Sequence, residues 1–167
     1  MWQILKQIRR GGLPAEPAPQ PDAEAAEVAR IQDDLRAILG RALTIRAVDA
    51  GSCNGCELEL NALSNPYYNI EGLGIKFTAS PRHADLLLVT GPVTRNMESA
   101  LKAAYEATPD PKLVVAIGQC ACDGGVFGES YASCGKVANV IPVDVLVPGC
   151  PPTPIEILRG ILTAVAK

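Results

Sequence analysis

The sequence holds 167 residues, 48% hydrophobic and 20% charged, with 15 basic against 18 acidic side chains and a net charge of −3. This length suits one compact domain with modest extensions, and the hydrophobic content excludes a disordered chain. The lack of a basic excess argues against nucleic acid as a partner, and six cysteines fall well short of the roughly 8–10% that marks a disulfide scaffold.

The first twelve residues, MWQILKQIRRGG, set Trp2, Leu5 and Ile8, with Ile4 alongside, at helical spacing beside Lys6, Arg9 and Arg10, and contain no acid. A basic amphipathic helix of this kind suits a membrane surface or a partner; equally, it can pack on its own domain. Arg9-Arg10 does not read as an export signal, because a Pro-rich, acidic stretch follows where an apolar one is needed. No window approaches the ~18 consecutive apolar residues of a membrane span. LPAEPAPQPDA (13–23), with four prolines, reads as an extended linker. Residues 24–40 read as an Ala-rich helix stopped by Gly40, for which a spacer is the plainest role.

From Leu43 strand and helix signals alternate. LTIRAVD (43–49) reads as a strand leading into a glycine loop at Gly51, and ELELNALS (57–64) as a short helix stopped by Asn65-Pro66. IKFTA (75–79) and DLLLVTG (85–91) are strand-like, and the second is apolar enough for a buried parallel strand. TRNMESALKAAYEAT (94–108) is an amphipathic helix, KLVVAIG (112–118) and VDVLVPG (143–149) are further strands, and TPIEILRGILTAVAK (153–167) is a helix. The alternation predicts an α/β domain with a largely parallel sheet covered on both faces.

The cysteines fall in the loops after these strands: Cys53 and Cys56 in DAGSCNGCE, Cys120 and Cys122 in GQCAC, Cys150 in PGCPP. In an open parallel sheet every strand's C-terminal end lies on one edge, where ligands bind. Three cysteine loops therefore converge, and TGPVT after DLLLV reaches the same edge without a cysteine. Each loop carries a glycine just before its first cysteine or one residue earlier, which lets the backbone approach a bulky ligand. Thiolates in a reducing, cytoplasmic setting suit zinc or an iron–sulfur cluster. Structural zinc usually takes two close CxxC pairs, whereas here one CxxC is joined by cysteines spread over about a hundred residues, the pattern of a cubane cluster on a sheet edge.

Six cysteines compete for four places. Cys53 and Cys56 form the pair, Cys150 stands alone on its loop, and Cys120 sits at the strand exit. That leaves Cys122 and Cys134 as buried small hydrophobes. His83, in SPRHAD, reads as exposed or capping. Glu57, at a helix start, complements the helix dipole. Gly118, Gly124, Gly125 and Gly149 shape the loops.

GSCNGCELE, LLLVTGPVT, VVAIGQCACDGGVF and IPVDVLVPGCPPTPIEILRGIL, in that order over roughly residues 40–167, resemble the small-subunit family shared by nickel–iron hydrogenases and the 20 kDa subunit of respiratory complex I. The resemblance implies a flavodoxin-like domain, helices on both faces, with one 4Fe-4S cluster at the C-terminal edge of the strands. It places the ligands on Cys53, Cys56, Cys120 and Cys150, and makes Glu57 a candidate proton-path carboxylate. Cys53-Asn54-Gly55-Cys56 is similar to the hydrogenase spacing rather than the adjacent cysteines of complex I, and the chain lacks the export signal and extra cluster domain of periplasmic uptake hydrogenases. The nearest resemblance is to small subunits of membrane-bound, energy-converting hydrogenases of the formate hydrogenlyase type.

The function so implied is an oxidoreductase subunit that relays electrons between a ferredoxin-like iron–sulfur subunit and a catalytic, hydrogenase-like large subunit. Integral membrane subunits complete the complex, and the chain sits peripherally on the cytoplasmic side of the inner membrane. Residues 1–40 are expected as an appended segment and 41–167 as the cluster domain. A complex I type subunit whose cluster reduces quinone, and a structural zinc protein without redox role, are the alternatives.

Overall fold

The computed structural model describes residues 2, 6, 9, 23–39 and 42–166. The linker expected over 13–23 (apart from Ala23), the Gly40 stop and most of the helix expected over 1–12 lie outside the described residues.

The elements follow the predicted alternation. They are α1 (Ala23–Leu39), β1 (Leu43–Asp49), α2 (Gly55–Ala62), β2 (Ile75–Phe77), β3 (Leu86–Thr90), α3 (Arg95–Ala107), β4 (Leu113–Ile117), α4 (Gln119–Asp123), β5 (Val145–Val147) and α5 (Pro154–Val165). All strand pairs are parallel and the sheet order is β2-β1-β3-β4-β5. That is the flavodoxin-like order, with its switch point between β1 and β3.

Period-two alternation splits the buried strands between two cores. Leu86, Leu88, Val115 and Ile117 point to one face, where they meet Ile31 of α1, Leu60 of α2 and Ile157, Leu158 and Ile161 of α5. Leu87, Val89, Val114 and Ala116 point to the other, against Leu101 of α3 and Ala121 of α4. α1 is thus a packed brace as well as a spacer. It lies along α5, and its Glu27 pairs with Arg159 there.

The edge strands are shorter than the sequence pattern suggests. β2 stops at Phe77, although the Thr78 amide still donates to the Ile45 carbonyl at 2.8 Å. β5 starts only at Val145 because the Asp144 carboxylate takes over the ladder, accepting from the Val114 amide at 2.8 Å. α5 opens with a complete capping box. Thr153 Oγ1 accepts from the Glu156 amide, and the Glu156 carboxylate accepts from the Thr153 amide at 2.7 Å.

Candidate metal centre

The loop after β1 is built on Asp49, whose carboxylate accepts the amides of Gly51 and Ser52, each at 2.8 Å. Ser52 Oγ in turn accepts from the Asn54 amide at 3.1 Å, and Asn54 takes a left-handed φ of 70° at the head of α2. These turns leave Cys53 exposed and set Cys56 in the first turn of α2. The β4 loop is tied to the β5 loop by backbone bonds. The Gly118 amide donates to the Val147 carbonyl at 2.8 Å, and the Gln119 amide to the Gly149 carbonyl at 2.7 Å. This brings the loop of Cys120 beside that of Cys150.

Cys53, Cys56, Cys120 and Cys150 consequently line one cavity of about 110 Å³ at the C-terminal edge of the sheet. Gly55, Gly91, Gly118 and Gly149 complete much of its wall, so TGPVT reaches the site through Gly91. Two glycines are required by contact with sulfur. A Cβ on Gly118, at φ 91°, would lie 2.6 Å from Cys56 Sγ, and one on Gly125, at φ 53°, would lie 2.8 Å from Cys120 Sγ. No His, Asp or Glu side chain lines this cavity. The donor set is soft, and the lining offers no carboxylate or imidazole to compete with the four sulfurs, which fits an iron–sulfur cluster. Among the described residues, no three or more His, Cys, Asp or Glu side chains gather closely enough to hold a single metal ion.

The thiols feel one another. Burial, then the negative charges of Glu57, Cys53, Cys120 and Cys150, push the Cys56 thiol up to about 12. Burial and the neighbouring Cys150 and Cys53 raise Cys120 as well.

The two remaining cysteines stand apart. Cys122 is half-buried rather than buried, because α4 is little more than one turn at the rim of the sheet; its Sγ lies 3.8 Å from the Ala116 carbonyl. Cys134 is buried, and its thiol donates to Glu98 Oε2 at 3.3 Å, a polar contact absent from the expected hydrophobic role. His83 is exposed in a turn of 3-10 helix.

Glu57 enters the first turn of α2, as predicted, but does more than face a dipole. Ser52 Oγ donates to Glu57 Oε2 at 2.5 Å, while Oε1 is buried without a hydrogen-bond partner among the described residues. Ser52 lines the thiol cavity; Glu57 lines a separate cleft of about 270 Å³ with Arg46, Asn61 and Thr78. Ser52 escaped the sequence reading, and its only signal was its place between the Asp49 turn and the first cysteine.

The profile of the NADH ubiquinone oxidoreductase 20 kDa subunit family matches residues 53–164. The chain belongs to this family. It is an oxidoreductase subunit of the hydrogenase or NADH-quinone oxidoreductase type, and the family is one of iron–sulfur-bearing subunits. A probable membrane-bound hydrogenase subunit mbhJ of Pyrococcus furiosus is 50% identical over 129 residues, covering 77% of each chain. Formate hydrogenlyase subunit 7 of Escherichia coli is 41% identical over 154 residues, or 92% of this chain and 60% of that one. Among solved structures, a chain of the membrane-bound sulfane sulfur reductase, an archaeal respiratory membrane complex, superposes with a TM-score of 0.67. It is 33% identical, over 79% of this chain and 74% of that one. Among the described residues, no helix of this family member is long and apolar enough to cross a membrane.

Proposed function

We propose that this chain is the electron-transfer small subunit of a membrane-bound nickel–iron hydrogenase complex of the energy-converting type, and that Cys53, Cys56, Cys120 and Cys150 hold one 4Fe-4S cluster. The observation that carries this reading is the convergence of four thiols, from three strand-end loops, on one cavity lined by no carboxylate or imidazole. When bound, the cluster supplies a one-electron carrier between a ferredoxin-like iron–sulfur subunit and the large subunit that holds the nickel–iron centre.

The chain's own residues supply the cradle. Asp49 and Ser52 fix the first loop, the Gly118 and Gln119 amides clamp the second to the third, and glycines keep side chains out of the space between the sulfurs. Zinc would draw its four sulfurs to about 2.3 Å from one point. Structural zinc usually takes two close CxxC pairs, and the spread of these four cysteines over about a hundred residues favours a cluster instead. The Cys53-Asn54-Gly55-Cys56 spacing and the membrane-bound hydrogenase relative favour the hydrogenase branch over the quinone-reducing one.

In this reading Glu57 moves protons. Its Oε2 accepts a hydrogen bond from the Ser52 hydroxyl at the thiol cavity, and its unpartnered Oε1 faces the side of the neighbouring cleft, where it would take up and release the proton. Residues 41–167 form the cluster domain and residues 1–40 an appended segment braced on it through α1. The subunit lies on the cytoplasmic side of the inner membrane, against integral membrane partners.

Anaerobic purification of the complex through a tag on this chain tests the proposal. Iron, acid-labile sulfide and a paramagnetic signal on reduction should accompany the chain, nickel should accompany the large partner, and each of the four cysteine-to-serine variants should lose iron. Stoichiometric zinc without iron would overturn the cluster, and quinone reduction by a nickel-free complex would overturn the hydrogenase branch.

A further inference from the structure

The first turns of α3 carry a carboxylate that does not line the thiol cavity. Glu98 Oε1 accepts from Lys102 Nζ at 2.7 Å, and Oε2 accepts from Arg95 at 3.4 Å and from the Cys134 thiol at 3.3 Å. Cys134 is the only buried cysteine, in the same core cluster as Val93, Leu101 and Val137. A small apolar side chain would fill that place. The thiol adds a donor, and two cations hold the acceptor beside it.

The loop gripped in this way ends on a sulfur of the thiol cavity. Its far end is laced to the chain leaving β3, with the Cys134 amide donating to the Val93 carbonyl at 2.7 Å and the Val93 amide to the Gly135 carbonyl at 2.9 Å. Gly135 lies against Gly124, where an added Cβ would come within 3.6 Å of the Gly135 Cα. The Gly124 amide closes α4 by donating to the Cys120 carbonyl at 3.0 Å, and Gly125 packs directly on the Cys120 sulfur. The contacts thus run from Glu98 to Cys134, from Gly135 to Gly124 and from Gly125 to Cys120 without a gap. The anchor is firm. Leu101 is fully buried, and the Thr94 amide and hydroxyl both donate to the Ala50 carbonyl, at 2.8 and 3.2 Å.

We propose that Glu98 is a positioning residue for Cys120: by holding the Cys134 thiol, it fixes the loop from Gly124 to Gly135 against the Cys120 sulfur. The inference takes from the proposed function only that Cys120 is a cluster ligand. It gives the buried cysteine a task that is neither ligation nor simple filling. The loop holds four glycines, so its backbone gains much freedom on release, and a lost contact opens such a segment locally.

Alkylation of the cluster-free full chain by iodoacetamide, followed by mass spectrometry of the peptides, tests this. It gives the rate at Cys120 relative to Cys53 and Cys150 in the same molecule. Glu98→Ala and Cys134→Ala should each raise that relative rate by about 10-fold, the equivalent of one hydrogen bond to a charged group at roughly 1.4 kcal/mol. Cys134→Ser, which keeps a donor for Glu98, should keep the native rate. In the loaded complex both alanine variants should shift the paramagnetic signal of the iron they retain, and the serine variant should not. An unchanged relative rate in either alanine variant, an equal rise at all three thiols, a rise of the same size in the serine variant, or an unshifted signal would each overturn the inference. A native complex without a paramagnetic signal would instead remove the cluster, and the labelling ratio would still decide whether Glu98 positions Cys120.

Discussion

Gly118 stands so close to Cys56 that a Cβ on it would lie 2.6 Å from the sulfur. Its φ of 91° would also strain any other residue, by roughly 1–3 kcal/mol. The close approach and the backbone conformation arise from one requirement: the chain leaving β4 must turn under the cavity floor without a side chain entering the space beside Cys56. Gly118→Ala is expected to push Cys56 out of place, lowering bound iron and altering the paramagnetic signal while far-ultraviolet dichroism stays near native. Full iron content with an unchanged spectrum would show that the floor has slack.

Cys56 also makes the cluster-free chain sensitive to pH. Its thiol is raised from 9.0 to about 12 by burial and by the surrounding negative charges. A folded-state value above the unfolded one contributes stability below pH 9, and that contribution is lost as pH rises through about 12. The cluster-free chain should therefore lose stability on alkaline titration, and Cys56→Ala should flatten that slope. Because the thiolate is the reactive form, Cys56 should alkylate at neutral pH at least about 100-fold more slowly than a free thiol. Mass spectrometry of the labelled peptides gives both rates.

Much of this arrangement is legible in the sequence. Runs such as LLLVT and LVVAI are too apolar for anything but a sheet covered on both faces, and the loops after them had to share an edge. The choice between Cys120 and Cys122 rested on strand exit, but the structure supplies a sharper reason. Both lie on α4, where residues two apart point about 200° from one another, so only one can face the cavity. The stretch from Gly124 to Pro142 carried no periodic signal. It is held by isolated bridges, Thr94 with Ser133 and Glu129 with Cys134, and by side chains such as Asn139, whose Nδ2 donates to the Cys134 carbonyl at 2.8 Å. The Ser52–Glu57 contact depends on the turn angle of one loop, which no spacing rule encodes.

The Ser52–Glu57 pair invites a direct substitution. Gln at position 57 keeps the size and still accepts from Ser52, but cannot take up a proton. If Glu57 carries protons, Glu57→Gln should cut turnover of the intact complex by roughly 100-fold, the scale of a lost proton-transfer group, with iron content and assembly unchanged. Unchanged turnover in an intact, cluster-loaded complex would return Glu57 to a structural role at the head of α2.

The capping box at α5 predicts a stability change that leaves the thiol cavity intact. Thr153 and Glu156 satisfy each other's amides at the start of a helix whose Ile157, Leu158 and Ile161 are buried in the core. Thr153→Ala should cost about 1 kcal/mol. For a domain of this size that is a fall of about 2–4 °C in Tm by calorimetry. Thr153 lies three residues from Cys150, so iron content is the control that separates helix loss from loop displacement.

The last prediction concerns the rim of the cavity. Val126 is 93% exposed, Phe127 59% and Tyr131 98%, in a chain with only seven aromatic residues. Gly125 lies against Cys120, and the loop is pinned at the head of α3, where the Arg95 amide donates to the Ala132 carbonyl at 2.9 Å. α3 begins just after β3, so these side chains stand on the sheet edge that carries the thiols. If the thiol cavity holds the proposed cluster, exposed aromatics beside it are suited to a partner that must come within tunnelling reach, and buried aromatic anchors dominate such interfaces. Replacing Phe127 and Tyr131 by Ser should weaken assembly with the large subunit by about 30-fold, the equivalent of roughly 2 kcal/mol. Iron bound to this chain should be retained, because neither side chain lines the cavity. Recovery of the large subunit with the tagged chain, measured beside iron per chain, checks both halves, and loss of iron with assembly intact would place the aromatics in the cradle instead.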